Sequence, residues 1–258
     1  MLKLRSFAFN ASYWLTSIIF IGSLAPLSLI PGRRLVRAAI VLYARTMRFN
    51  MQYIAGIKFD YLGAENLPDG PFIIAAKHQS WGDGFGAVSY FGDVAFVTGD
   101  HLENYPFVGR ILKKIGAIVV DNCGGHHARK SLTDNFALAA KEGRKVLIYP
   151  EGHLVKIGTS KKYRTGVWHL QQACGWPVVP IATNLGLFWS CEDFIKEAGQ
   201  ATNQILEPIP AGLGKDEFMT RLEVALETAS SRLCAEGQAT HPHLTQAGVE
   251  WVSEMSEA

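Results

Sequence analysis

The sequence predicts an α/β fold: a mixed, largely parallel sheet flanked by helices, preceded by an N-terminal membrane-embedded helical segment. Three observations predict it. Residues 7–30 are apolar and carry no charge. After Gly56, short β-branched runs alternate with helical stretches, the pattern of strand–helix–strand units. His78 and Glu151 each follow one of those runs, and ligands of open α/β sheets collect beyond the carboxyl ends of strands.

The chain has 258 residues, 48% of them hydrophobic, enough for a substantial core. Its net charge is only +2, but the charge is unevenly spread. Residues 1–58 contain eight Lys and Arg and no Asp or Glu. A basic segment of this kind meets either lipid headgroups or nucleic acid. The apolar stretch beside it selects lipid, and no nucleic-acid partner is expected. Four scattered cysteines without a CxxC pair exclude a disulfide framework and a zinc site, so no metal is expected.

Taken in order, three regions are expected: membrane-anchoring hydrophobic and basic amphipathic helices over 1–58, an α/β domain over 59–237, and a polar tail over 238–258. Residues 7–30 are long enough to cross a bilayer, which takes about 20 apolar residues. The stretch begins like a signal peptide, but no small-residue cleavage site follows and Arg33, Arg34 and Arg37 come directly after it. Pro26 and Pro31 would interrupt a straight helix, so the reading is one spanning or two dipping helices. Residues 33–49 then form a basic amphipathic helix in the headgroup layer. Trp14, Phe20, Arg33, Arg34 and Arg37 are the expected membrane contacts.

Strands are predicted over 72–77, 94–98, 117–121, 145–150, 178–183 and 203–209. Helices are predicted over 83–91, 106–115, 126–142, 166–174 and 216–234, the last capped by Asp216.

The stretch "FIIAAKHQSWGDGFG", residues 72–86, carries the chemistry. An imidazole can take a proton at neutral pH, and works best when a carboxylate fixes its other nitrogen. His78 and Asp83 could form that pair only across a tight turn, because five positions do not share one helical face. No GxSxG elbow supplies a protein nucleophile, and Ser80 reads as a turn residue. The attacking group would then come from the substrate, a hydroxyl deprotonated by His78.

On these residues the chain resembles the glycerolipid acyltransferases of the 1-acylglycerol-3-phosphate acyltransferase type. "KHQSWGD" is similar to the family's first block and "YPFVGRILKKIGAIVVD" (105–121) to its second. "IYPEG" (148–152) and "WPVVPIA" (176–182) are similar to its third and fourth. The likeness covers roughly residues 60–233. It implies transfer of an acyl chain from a thioester, of coenzyme A or acyl carrier protein, to the hydroxyl of a lysolipid. His78 would be the base and Asp83 its orienting partner. Backbone N–H groups would hold the oxyanion. Glu151, Gly152 and Arg110 would lie on the acceptor side, and no cofactor is implied beyond the acyl thioester co-substrate. The implied location is the inner (cytoplasmic) membrane, with the active site facing the cytoplasm.

The third block departs from the family's Glu-Gly-Thr-Arg, reading Glu151-Gly152-His153-Leu154. The missing arginine would have met the acceptor phosphate, and Lys156, Lys161, Lys162 and Arg164 are the candidates to substitute for it. Asp100, where a basic residue is usual, would repel a phosphate. Two acceptors follow: 1-acylglycerol-3-phosphate, giving phosphatidate, or a lyso-aminolipid such as lyso-ornithine lipid. A catalytically silent lipid-binding relative and a thioester hydrolase are the rival functions.

Overall fold

The computed structural model describes residues 1–105, 107–120, 132 and 136–244. Two long helices, α1 (Leu2–Leu27) and α2 (Arg34–Asn50), precede the sheet. A wide helical turn over Met51–Ala55 closes at Gly56, whose positive φ of 73° suits a residue without a Cβ. The strands are β1 (Ile57–Leu62), β2 (Ile73–Ala76), β3 (Ala95–Gly99), β4 (Ile118–Val120), β5 (Val146–Ile148), β6 (Val178–Thr183) and β7 (Gly199–Ile205). Between them run α3 (Gly82–Phe91), α4 (Val108–Ile115) and α5 (Gly166–Cys174), and α6 (Lys215–Thr240) follows β7.

Among the described residues these strands form one sheet in the order β1-β7-β6-β2-β5-β3-β4. Every neighbouring pair is parallel except β6 with β7, so the sheet is mixed and largely parallel, as expected. β2 lies at the centre and is buried on both faces, as strands covered by helices on each side must be. Its alternate residues serve two cores. Ile73 and Ala75 pack with Val146, Val178, Phe218 and Leu222, while Phe72 and Ile74 pack with Leu147, Val179 and Ala87.

Several expectations are corrected. β1 was not predicted: its alternation of buried Ile57 and Phe59 with exposed Lys58 and Asp60 marks a half-covered edge strand. The strand expected over 203–209 lies at Gly199–Ile205. Pro208 and Pro210 cannot donate to a ladder. Asp216 does not cap α6; Gly214 holds that position, and Asp216 sits in the first turn, where its charge meets the helix dipole. Of the helix predicted over 126–142, Leu132 and residues 136–141 are helical. The rest of that span lies outside the described residues, apart from residue 142, which forms a turn. Of the tail predicted over 238–258, residues 238–240 continue α6, Pro242–Leu244 forms a short 3-10 helix with Leu244 buried in a cluster with Phe188, and residues 245–258 lie outside the described residues.

α1 is one continuous helix, with Pro26 in its last turn. One face of it packs on the protein along its length. Ser6 Oγ accepts the Lys196 N–H at 2.9 Å, and Phe9 meets Trp189 edge-on at 5.0 Å. Tyr13 lies beside Phe85, Ser17 bonds Tyr43 at 2.8 Å, and Leu24 joins Ile111 and Leu112 in a further cluster. The helical pair and the sheet therefore share a core, and residue 58 lies inside β1.

Candidate active site

β2 and β5 are adjacent parallel strands, with Ile73 opposite Val146 and Ala75 opposite Ile148. Their carboxyl ends leave the sheet at one edge. Lys77 and His78 therefore emerge beside Tyr149 and Glu151, although about seventy positions separate them in sequence.

The turn after β2 is organised by Asp83. Its Oδ2 accepts the N–H groups of Gln79 and Ser80, each at 2.8 Å, and lies 3.0 Å from His78 Nδ1. The Gly82 N–H donates to Ser80 Oγ at 3.0 Å, which confirms Ser80 as a turn residue. Asp83 stands in the first turn of α3, where orphan N–H groups and the helix dipole favour an anion. One carboxylate oxygen thus folds "HQSWGD" and accepts a hydrogen bond from the imidazole Nδ1–H, leaving Nε2 as the acceptor. The His78 side chain is 20% exposed and that of Asp83 only 5%, so the base reaches out and its partner stands behind. The ring of Tyr149 lies flat on the other side of the imidazole, 3.9 Å between centroids at 15°. Burial, reinforced by the Asp83 charge, pushes the Tyr149 phenol well above its usual range, so it stays protonated.

Below this turn lies a charged network absent from the sequence reading. Lys77 is buried, and its Nζ donates to Glu151 Oε1 at 2.8 Å, Glu227 Oε1 at 2.6 Å and the Thr159 carbonyl at 3.3 Å. Tyr163 Oη donates to Glu227 Oε1 at 2.7 Å, and the Lys161 N–H donates to Glu151 Oε1 at 3.2 Å. Burial pushes the Glu151 carboxyl up, and the Lys77 ammonium opposes it. The available signal was a lysine directly after "FIIAA": a cation at the end of a buried strand requires partners.

The loop after β5 returns to the turn. The Val155 N–H donates to the His78 carbonyl at 2.9 Å, and the Arg164 N–H to the Pro150 carbonyl at 2.8 Å. Arg164 lies across Gly152. A Cβ there would come within 2.6 Å of its Nε, and the φ of 68° independently favours glycine. Arg164 Nη2 donates to His153 Nε2 at 3.0 Å. Partial burial lowers the His153 pKa, and the charges of Lys161 and Arg164 push the same way.

The structure therefore gathers His78, Asp83, Glu151, Gly152 and Arg164. Lys161 and Lys162 are exposed on the same loop. Lys156 is exposed and pairs with Glu192 at 2.7 Å. Arg110 is exposed on α4.

Of the expected membrane contacts, Trp14 and Arg34 are exposed. Phe20 packs on Tyr43 at 5.0 Å. Arg33 bonds Glu142 at 3.4 Å. Arg37 turns inward, to Glu142, to Asp93 at 3.5 Å and to the Ile115 carbonyl at 3.2 Å. Both arginines thus sit against Asp93 and Glu142, carboxylates that Arg144 also meets.

A family model described as Acyltransferase matches residues 58–184. A 1-acyl-sn-glycerol-3-phosphate acyltransferase of Pseudomonas aeruginosa is 32% identical over 190 residues, covering 74% of this chain and 72% of that protein. One from Saccharomyces cerevisiae is 28% identical over 180 residues, covering 68% and 59% respectively. The crystal structure of the 1-acyl-sn-glycerophosphate acyltransferase PlsC from Thermotoga maritima superposes with a TM-score of 0.71 at 18% identity. It covers 90% of this chain and 98% of that one, and supports the fold.

Proposed function

The chain belongs to the acyltransferase family that includes the 1-acyl-sn-glycerol-3-phosphate acyltransferases, and on that premise we propose that it acylates the free hydroxyl of 1-acylglycerol-3-phosphate, giving phosphatidate. The donor is an acyl thioester, of coenzyme A or acyl carrier protein. The observation that carries the reading is the 3.0 Å contact of His78 Nδ1 with Asp83 Oδ2, which leaves Nε2 as the acceptor.

The steps follow from that pair. The acceptor O–H gives its proton to His78 Nε2 as its oxygen attacks the thioester carbonyl carbon. Asp83 stabilises the imidazolium that forms. The tetrahedral oxyanion collapses, the carbon–sulfur bond breaks, and the departing sulfur takes the proton back. General-base help of this kind contributes roughly 10²–10⁴-fold.

Arg164 supports a phosphate acceptor over an aminolipid. Its guanidinium is brought across Gly152, two positions before Leu154, and suits a phosphate through bidentate bonding. The same loop adds the exposed Lys161 and Lys162.

The packing of α1 supports an in-plane membrane attachment. α1 is long and apolar enough to cross a membrane. Yet Ser6, Phe9, Tyr13, Ser17 and Leu24 hold one face against the domain. Leu4, Phe7, Trp14, Leu15 and Ile18 stay exposed on the rest. A helix bound lengthwise to a polar domain lies in the interface instead of crossing it. The membrane is the cytoplasmic one, entered from the cytoplasmic side where the acyl thioesters are made.

The test is thiol release from acyl-coenzyme A and from acyl carrier protein, with and without lysophosphatidate or lyso-ornithine lipid. Release that requires lysophosphatidate, and stops in His78→Ala, is the expected result. Release without any acceptor makes the protein a hydrolase. Release with the aminolipid alone moves the acceptor to that class.

A further inference from the structure

We propose that Tyr149 is a positioning residue for the base, acting through its ring and not its hydroxyl. The inference rests on the reading of His78 as the base. The Tyr149 ring lies face to face with the imidazole at 3.9 Å and 15°. Asp83 holds the ring at its edge, through Nδ1. A hydrogen bond to one ring atom fixes direction but leaves rotation about the bond axis free; a flat aromatic surface removes that rotation. The two contacts together aim Nε2 along one line.

The aromatic face has a second effect. Its π electrons carry negative charge on the face, which attracts a cation placed over it. The imidazole becomes such a cation only as the acceptor proton arrives. The attraction therefore grows toward the transition state and acts on turnover more than on substrate binding. The hydroxyl contributes neither effect. Tyr149 Oη is buried and has no hydrogen-bond partner among the described residues.

Tyr149 is well placed to hold a ring still. It follows β5 directly, one residue after Ile148, which pairs with Ala75 of β2. The Gly152 N–H donates to its carbonyl at 2.9 Å. The stack thus joins the segments that leave two adjacent strands of the sheet, close to where each strand ends.

The experiment compares Tyr149→Phe, Tyr149→Leu and Tyr149→Met with the unaltered enzyme and with His78→Ala, measuring kcat, KM for both substrates and melting temperature. Tyr149→Phe should keep kcat within about 2-fold and melt at or above the parent temperature, since only a hydroxyl without a partner is lost. Tyr149→Leu and Tyr149→Met should each lose roughly 10- to 100-fold in kcat, the scale of a misaimed catalytic group, with KM nearly unchanged. Equal losses in the Phe and Leu variants would overturn the inference and give the role to the hydroxyl. Normal kcat in the folded Leu or Met variant would overturn it outright, and so would a loss confined to KM. If Tyr149→Leu does not fold, Tyr149→Met decides, being unbranched and adaptable in packing. Normal turnover in His78→Ala would instead remove the reading beneath the proposal.

Discussion

Asp83 uses one oxygen for three donors, two of them backbone N–H groups of its own turn and one the imidazole of His78. Folding the turn and orienting the base are therefore the same act. Asp83→Asn keeps a carbonyl oxygen that can accept the backbone donors, so the protein should remain folded. The same oxygen still faces Nδ1, but a neutral amide cannot stabilise an imidazolium as a carboxylate does. The expected outcome is a loss of roughly 10²–10⁴-fold in kcat with a small change in melting temperature. A variant with normal kcat would detach Asp83 from the chemistry. The His78–Asp83 pair was legible because both residues sit within one short stretch. Lys77 and Tyr149 stand in quoted stretches too, yet their roles were not legible. Each role depends on a partner about seventy positions or more away, and periodicity carries no information about such partners.

The loop from Tyr149 to Arg164 is the element on which acceptor choice depends. It leaves β5, bonds the His78 carbonyl through Val155 and returns Arg164 over Gly152. Arg164→Leu should raise KM for lysophosphatidate by roughly 10- to 100-fold with little change in kcat. That corresponds to losing a charge-assisted hydrogen bond worth about 1.5–3 kcal/mol. Steady-state kinetics with and without the headgroup phosphate check it, and an unchanged KM would send the phosphate elsewhere. Four basic residues were candidates in the sequence. Their order in the chain could not rank them, because the loop folds back and brings Arg164 over Gly152. The parallel strands were legible from β-branched runs buried on both faces. β1 was not, since two charged residues interrupt it and only its pairing with β7 makes it a strand.

Across the whole molecule, the two N-terminal helices pack into hydrophobic clusters shared with the α/β domain, and the outer face of α1 is left apolar. Trp14 and Ile18 are 64% and 66% exposed on that face. Replacing both by glutamine should weaken binding to anionic phospholipid vesicles by about 10²-fold, the scale of two large side chains kept in water instead of buried. Vesicle sedimentation checks it, with melting temperature as the control for folding. Undiminished binding would argue that another surface meets the bilayer. What the sequence determined by itself is whatever depends on neighbours in the chain: the strand–helix alternation, the apolar N-terminal stretch, and a histidine and an aspartate separated by a turn. Only the tertiary structure decided which arginine crosses Gly152, which ring covers His78, which charges neutralise Lys77 and on what α1 lies. Those contacts join distant segments, and they form because the sheet places the ends of β2 and β5 side by side, where a buried charge or a flat ring is stable only against the partner that packing supplies.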